Sequence, residues 1–227
     1  MIISKKFKWP KDDDGTARIS IGFLDGNNFQ KNRVITTAGQ WENACPNIEF
    51  VWEDDPKDAD VRITFNSHEW YSKVGSNAKN FPKSESTTKL RWKSDLKEMD
   101  RQILHEFGHI LGAEHEQFSP SFPYKWNRDA LVEYWKEYYH NQNKSWGNGQ
   151  LITRAREKVD RDIIFRYRVN DPNYYMSAFD GHSIMLYEIH EEWLEVNPSF
   201  GKTPEEFPEN YEISRIDRAT MNKIYSG

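Results

Sequence analysis

The sequence predicts a mixed α/β or α+β fold built on a twisted sheet. Two observations carry this. The first half alternates β-type runs with strongly periodic helical ones, an order that lays helices against a sheet. The second half holds only scattered helical runs, and Pro120, Pro123, Pro172, Pro198, Pro204 and Pro208 interrupt it. Regular layering should therefore fade there.

Residues 18–25 (RISIGFLD) alternate apolar and polar and read as a strand. Residues 27–44 place Phe29, Val34, Ala38, Trp41 and Ala44 at helical spacing, with Asn27 or Asn28 as cap. Residues 47–54 and 60–66 read as two further strands around the turn DDPKDA. Residues 73–79 and 87–92 are weaker strand candidates. Residues 94–112 form the strongest helix, with Ser94 as cap, Gly112 as stop, and an apolar face of Leu96, Met99, Ile103, Leu104, Phe107 and Leu111. Later helices are expected at 127–139 and 213–225.

A chain of 227 residues suits one domain. The lobes are expected to divide near Gly112, at about 1–112 and about 113–227. Hydrophobic residues make up 37% and aromatics 15%, enough for a packed core. The net charge of -5 and the lack of a Lys/Arg stripe argue against nucleic acid. No run reaches the ~18 apolar residues of a membrane span, and the N-terminal residues lack the apolar stretch of a signal peptide. Cys45 is the single cysteine, so no internal disulfide forms. Its position inside the fold makes it a small buried hydrophobe.

The chemistry concentrates in residues 105–116, HEFGHILGAEHE. At ~100° per residue, His105 and His109 lie about 40° apart on one helix face, one turn from each other. Two neutral imidazoles so placed grip a zinc ion. Glu106 stands beside the first and can aim a carboxylate at a water on the metal. His115 would point about 240° away on a continued helix. It joins the other two if the helix stops and the chain turns back, and Gly112 adopts the left-handed conformation this requires. Three imidazoles leave a fourth position for water, as in catalytic zinc sites. Solvated histidines at a helix end are the bland alternative, and the spacing is too rare by chance to favour it.

HEFGHILGAEH resembles the zinc-binding motif of the metzincins. Glu116, after the third histidine, is the residue that marks their astacin branch. HSIMLY, residues 182–187, is similar to that branch's Met-turn. On these residues the chain resembles the astacin-like zinc metalloproteases. The resemblance implies an α+β, metzincin-type two-lobed domain. Its N-terminal lobe would hold a twisted, mostly parallel sheet with a backing helix and the active-site helix. Its C-terminal lobe would be irregular and end in a helix. The resemblance further implies one catalytic Zn2+ on His105, His109 and His115, with Met185 as an apolar floor. Tyr187 would be a movable extra zinc ligand that also stabilises the oxyanion. The substrate would be an extended protein or peptide, laid antiparallel along an edge strand within residues 73–80. A secreted monomer is implied.

The expected function is a zinc-dependent endopeptidase that hydrolyses peptide bonds by a metal-activated water, with Glu106 as general base. A zinc exopeptidase and a non-catalytic zinc-bearing binding module remain alternatives. Three departures mark a divergent branch: the missing disulfides, QFSPSFPYKW in place of an Arg- and Asp-rich continuation, and Leu186 where histidine is usual. Glu116 is read as structural. His68, His140, His182 and His190 are expected outside the site, and the aromatic run 132–139 within the C-terminal core.

Overall fold

The computed structural model describes residues 1–199 and 201–226. A short N-terminal strand, β1 (Ile2–Ser4), precedes the sheet's first strand in sequence, β2 (Ala17–Phe23). Along β2 the residues Ala17, Ile19 and Ile21 are buried, as the alternation requires. The helix α1 (Asn28–Ala44) then crosses to β3 (Ile48–Glu53), which pairs parallel with β2 from Ala17↔Ile48 onward. The strand β4 (Val61–Thr64) pairs parallel on the other side of β2. Beyond it lie β5 (Trp70–Ser72) and β6 (Thr88–Leu90), with β6 parallel to β4 and β5 antiparallel at the edge. The sheet order is β3-β2-β4-β6-β5, mostly parallel as expected.

The helix α2 (Leu96–Ile110) packs on α1, and both bury their apolar stripes against this sheet. The Trp41 indole donates to the Leu104 carbonyl at 2.9 Å, and Arg33 makes a bidentate pair with Asp100 at 2.8 and 2.7 Å. Asn27 caps α1 in a reciprocal box with Gln30. The cap of α2 is Asp95, not Ser94. Its carboxylate accepts from the Lys97 and Glu98 amides at 3.0 and 3.2 Å and faces the positive end of the helix.

Residues 73–79 do not form a strand. Gly75–Asn80 is a 3-10 helix, entered through Gly75 at φ +52° and tied by the Ser76 amide to the Phe7 carbonyl at 2.8 Å. That bond consumes the backbone an edge strand would offer, so the open edge moves to β5.

After α2 come β7 (Ala113–Glu114), β8 (Tyr124–Trp126), α3 (Arg128–Gln142) and α4 (Asn148–Asp162). They are followed by β9 (Tyr174–Met176), β10 (Leu194–Val196) and α5 (Arg215–Ser226). α4 is a helix the sequence reading omits. Its burial is a single thin stripe of Leu151, Ala155 and Val159 on an otherwise polar segment. The aromatic run on α3 is not core. Tyr134 and Tyr138 are 42% and 43% exposed, and Leu131 alone on α3 is fully buried. Their rings stack sideways instead, Tyr134 on Trp193 and Trp135 on Tyr138. Cys45 is fully buried in the main core.

β1 joins the two halves of the chain, pairing antiparallel with both β7 and β9. α5 returns to the N-terminal core, where Met221 and Tyr225 are fully buried. These returning segments cap the C-terminus of α2. The Trp9 indole donates to the Ile110 carbonyl at 2.6 Å, the Tyr225 hydroxyl to the Leu111 carbonyl at 3.0 Å, and the Ser4 amide to the Gly112 carbonyl at 2.9 Å. Helix-end carbonyls lack partners of their own, and buried ones are costly if left bare. Trp9→Phe strands the Ile110 carbonyl and should cost about 1–3 kcal/mol. Urea unfolding checks this as a lower midpoint with an unchanged slope.

Candidate metal centre

His105 and His109 lie on α2, both buried, with rings 4.9 Å apart. At Gly112 the backbone turns left-handed, φ +95°, and the Gly112 amide closes on the His109 carbonyl at 2.9 Å. The helix ends there, as its glycine demands. Three residues later His115 has come back beside its partners. One ligand atom from each of the three imidazoles falls within 4.8 Å of the others. Among the described residues this is the group of histidine, cysteine and acidic side chains positioned to hold a metal ion. His68, His140, His182 and His190 lie outside it.

The ring orientations are set by carbonyl groups. His105 Nδ1 meets the Ile184 carbonyl at 2.8 Å, and His109 Nδ1 meets the Ala113 carbonyl at 2.7 Å. A carbonyl only accepts, so both Nδ1 atoms carry the proton and each Nε2 keeps its lone pair. His109 Nε2 and His115 Nε2 are 3.1 Å apart. The edge of a tetrahedron with Zn–N bonds of ~2.0–2.1 Å is about 3.4 Å, so the spacing fits a shared cation. Burial lowers the His105 pKa to about 3 and the His109 pKa to about 4, and holds His115 well below its usual value. All three therefore stay neutral near pH 7, the state in which imidazole binds metal.

Glu106 is buried beside these rings, and its Oε2 has no hydrogen-bond partner among the described residues. Burial pushes its pKa up to about 8. A bare buried carboxyl oxygen next to three lone pairs is what a cation and its water would satisfy. The residues present thus fit one zinc ion. Tyr187 packs its ring 4.3 Å from His115 and 5.9 Å from His105. Burial, and then the charge of Glu106, raise its hydroxyl pKa, so the phenol keeps its proton.

Met185 is fully buried, and its sulfur lies 2.3 Å from where a side chain on Gly108 would begin. Glycine at 108 is what lets this methionine seat against α2. The Met185 carbonyl accepts from the Glu116 amide at 3.0 Å, so this turn also holds the segment bearing His115. Glu116 is fully buried and structural. One oxygen lies 2.7 Å from the Met1 ammonium, and the other accepts from the Asp180 amide at 2.9 Å.

Asp217 on α5 is a positioning residue the sequence reading passes over. It is fully buried, and its oxygens accept from the Ser183 hydroxyl at 2.7 Å, the Ile184 amide at 2.9 Å and the Ser214 amide at 3.1 Å. Burial raises its pKa, while these three donors oppose the rise. Ile184 therefore links the two, its amide held by Asp217 and its carbonyl meeting the His105 ring. The signal was present: Asp217 sits four residues from both Ile213 and Met221, on the apolar stripe of its helix.

A cavity of about 290 Å3 opens beside His105, Glu106 and Tyr187. Trp70 of the edge strand lines it, together with Trp126, Trp135 and Trp193.

No family model matches the chain, and no curated relative matches it. Solved structures do. A structure of myroilysin is 25% identical, with a TM-score of 0.78 over 100% of this chain and 99% of that one. A second myroilysin crystal structure gives 24% identity and a TM-score of 0.63 over 98% and 87% of the two chains. High choriolytic enzyme 1, a hatching-enzyme zinc protease from the medaka fish Oryzias latipes, is 16% identical, with a TM-score of 0.61 over 98% and 96%. The likeness to astacin-like zinc metalloproteases read from the motifs therefore extends to an α+β fold shared over the whole chain.

Asp217→Asn turns an amide toward groups that are themselves donors. It should loosen the Ile184 carbonyl and weaken zinc affinity about 10–100-fold, the usual effect of losing an outer-shell partner. Competition with a chromophoric chelator measures this, and unchanged affinity would remove Asp217 from the site.

Proposed function

We propose that this chain is a zinc-dependent endopeptidase in which His105, His109 and His115 hold the ion and Glu106 is the general base. The reading is carried by one observation: three converging neutral imidazoles beside a buried carboxylate with an unpartnered oxygen. The shared fold with a hatching-enzyme zinc protease supports it. In this reading residues 1–227 form one catalytic domain, with lobes meeting near Gly112, that acts outside the cell.

Zinc bound here would supply a Lewis acid that brings the pKa of a water toward neutrality and polarises a carbonyl. Glu106 takes the proton from the attacking water and returns it to the leaving amine. Its raised pKa suits that double duty, since a nearby cation would draw it back toward the working pH. Tyr187 keeps its proton and donates a hydrogen bond to the oxyanion, and its ring position beside His115 and His105 also allows it to act as a further ligand. The Ile184 and Ala113 carbonyls hold His105 and His109 in the required tautomer throughout. The substrate runs extended and antiparallel along β5, where backbone pairing gives affinity with little sequence preference.

The test is cleavage of a peptide library by zinc-loaded protein beside Glu106→Gln, with products mapped by mass spectrometry. Internal cuts should fall by about 10^2–10^4-fold in the variant while its zinc content stays at one per chain. Chelation should abolish the cuts and added zinc restore them. Cuts confined to peptide ends would make the enzyme an exopeptidase, and undiminished cleavage by Glu106→Gln would refute the mechanism.

A further inference from the structure

The cavity of about 290 Å3 beside His105 and Tyr187 is lined by Trp70, Trp126, Tyr134, Trp135 and Trp193. It also carries charge. Leaving aside the base Glu106, the charged residues that line it are Arg101, Lys158, Glu188 and Glu209. Both cations are already held. Arg101 meets Glu98 at 2.8 and 2.7 Å and Glu209 at 2.7 Å, and its side chain is only 8% exposed. Lys158 meets Asp162 at 3.2 Å. Glu188 is the exception. It is exposed, and among the described residues no cation stands within ion-pair distance of its carboxylate. Its charge is felt at two other residues of the cavity. Burial and then Glu188 raise the Tyr134 hydroxyl pKa. Burial, with Glu98 and Glu188 adding to it, keeps the Glu209 pKa raised even against the Arg101 guanidinium. A further cation would stabilise both carboxylates.

The chemistry of the occupant follows from the rings and the spare charge together. An acidic side chain would compete with Glu98 and Glu209 for Arg101 and would lie against the unpaired Glu188. An apolar side chain would use the rings and leave the charge unused. A basic side chain uses both, its apolar stem on the rings and its charged end at a carboxylate. Aromatic faces attract cations, and two of these rings already show it. The Lys93 ammonium lies 4.3 Å over Trp70, and that of Lys158 lies 5.2 Å over Trp135. Arginine suits the cavity better than lysine, because its planar guanidinium stacks on aromatic faces and pairs a carboxylate through two N–H groups. The volume leaves room for a long side chain, since benzene fills a cavity of only ~150 Å3.

We infer that this cavity receives a basic side chain of the substrate, arginine above lysine, at a residue adjoining the scissile bond, and that Glu188 determines this specificity. The adjoining position follows from Glu188 being next to Tyr187 in the chain and sharing the cavity with His105 and Glu106. The inference rests on the endopeptidase reading for its substrate, and on the unpaired carboxylate among aromatic rings for its selectivity.

The test compares kcat/KM of the zinc-loaded full chain on peptides identical except for Arg, Lys, citrulline, Leu, Phe or Glu at each position flanking the cut. Citrulline keeps the shape of arginine and lacks its charge. Arginine should exceed citrulline by about 5–30-fold at one of these positions, the worth of a charge-assisted hydrogen bond and a cation on an aromatic face. The Arg:citrulline ratio should fall close to one in Glu188→Gln. In Glu188→Arg, glutamate should overtake arginine, a gain that misfolding cannot imitate. A preference of the unaltered chain for leucine or phenylalanine overturns the inference, since the rings alone would then select. So does a preference for glutamate, which would assign the cavity to Arg101. An Arg:citrulline ratio untouched by Glu188→Gln, or a Glu188→Arg variant that still prefers arginine, overturns it as well. Should no peptide be cleaved, the endopeptidase reading fails on its own. Titration of N-acetylarginine amide against N-acetylcitrulline amide, followed by tryptophan fluorescence, then decides the inference without turnover. Tighter binding of the arginine compound that is lost in Glu188→Gln supports it, and equal or absent binding overturns it.

Discussion

The site depends on the end of one helix. Were α2 to continue past Gly112, His115 would face away from His105 and His109 by most of a turn. The left-handed glycine at φ +95° stops it, and three residues then suffice to reverse the chain. The stop is made secure by distant parts of the sequence. Trp9, Tyr225 and Ser4 supply the hydrogen bonds for the Ile110, Leu111 and Gly112 carbonyls at and just past its end. Both ends of the chain therefore converge on the C-terminus of the helix that carries the first two imidazoles. A short motif sets the spacing, and tertiary closure holds it.

The electrostatics of the same place run against ordinary folding. Two imidazoles are buried and a third half-buried, all with their proton affinity depressed, and a carboxyl is buried beside them with its proton affinity raised. Unsatisfied, such a cluster destabilises the fold. A divalent cation relieves both halves at once, drawing on the lone pairs and compensating the carboxylate. The scaffold meanwhile spends its own polar groups on orientation. Asp217 holds the amide of Ile184, whose carbonyl orients His105, and the Met185 carbonyl holds the segment leading away from His115.

Much of this was legible in the sequence, because the strongest signals were local. The alternation of residues 18–25, an asparagine cap at 27 or 28, and the glycine stop at 112 each state their geometry within a few residues. What escaped depended on partners far away. Residues 73–79 read as a weak strand, yet the Phe7 carbonyl claims the Ser76 amide and Gly75–Asn80 forms a 3-10 helix. α4 buries so thin a stripe that its polar faces hide it. The tryptophans of α3 and β8 read as core filling, whereas Trp135 and Trp126 line the cavity beside the imidazoles. Asp217 acquires meaning only once the fold shows what surrounds it.

A helix ended at Gly112 brings three imidazoles to where one zinc ion can bind. X-ray absorption at the zinc edge of the zinc-loaded protein, beside His115→Ala, tests it most directly. The expected result is one zinc per chain with three imidazole nitrogens at ~2.0–2.1 Å and oxygen completing the shell, falling to two imidazoles in the variant. Zinc bound by fewer than three imidazoles, or a spectrum unchanged by His115→Ala, would contradict it.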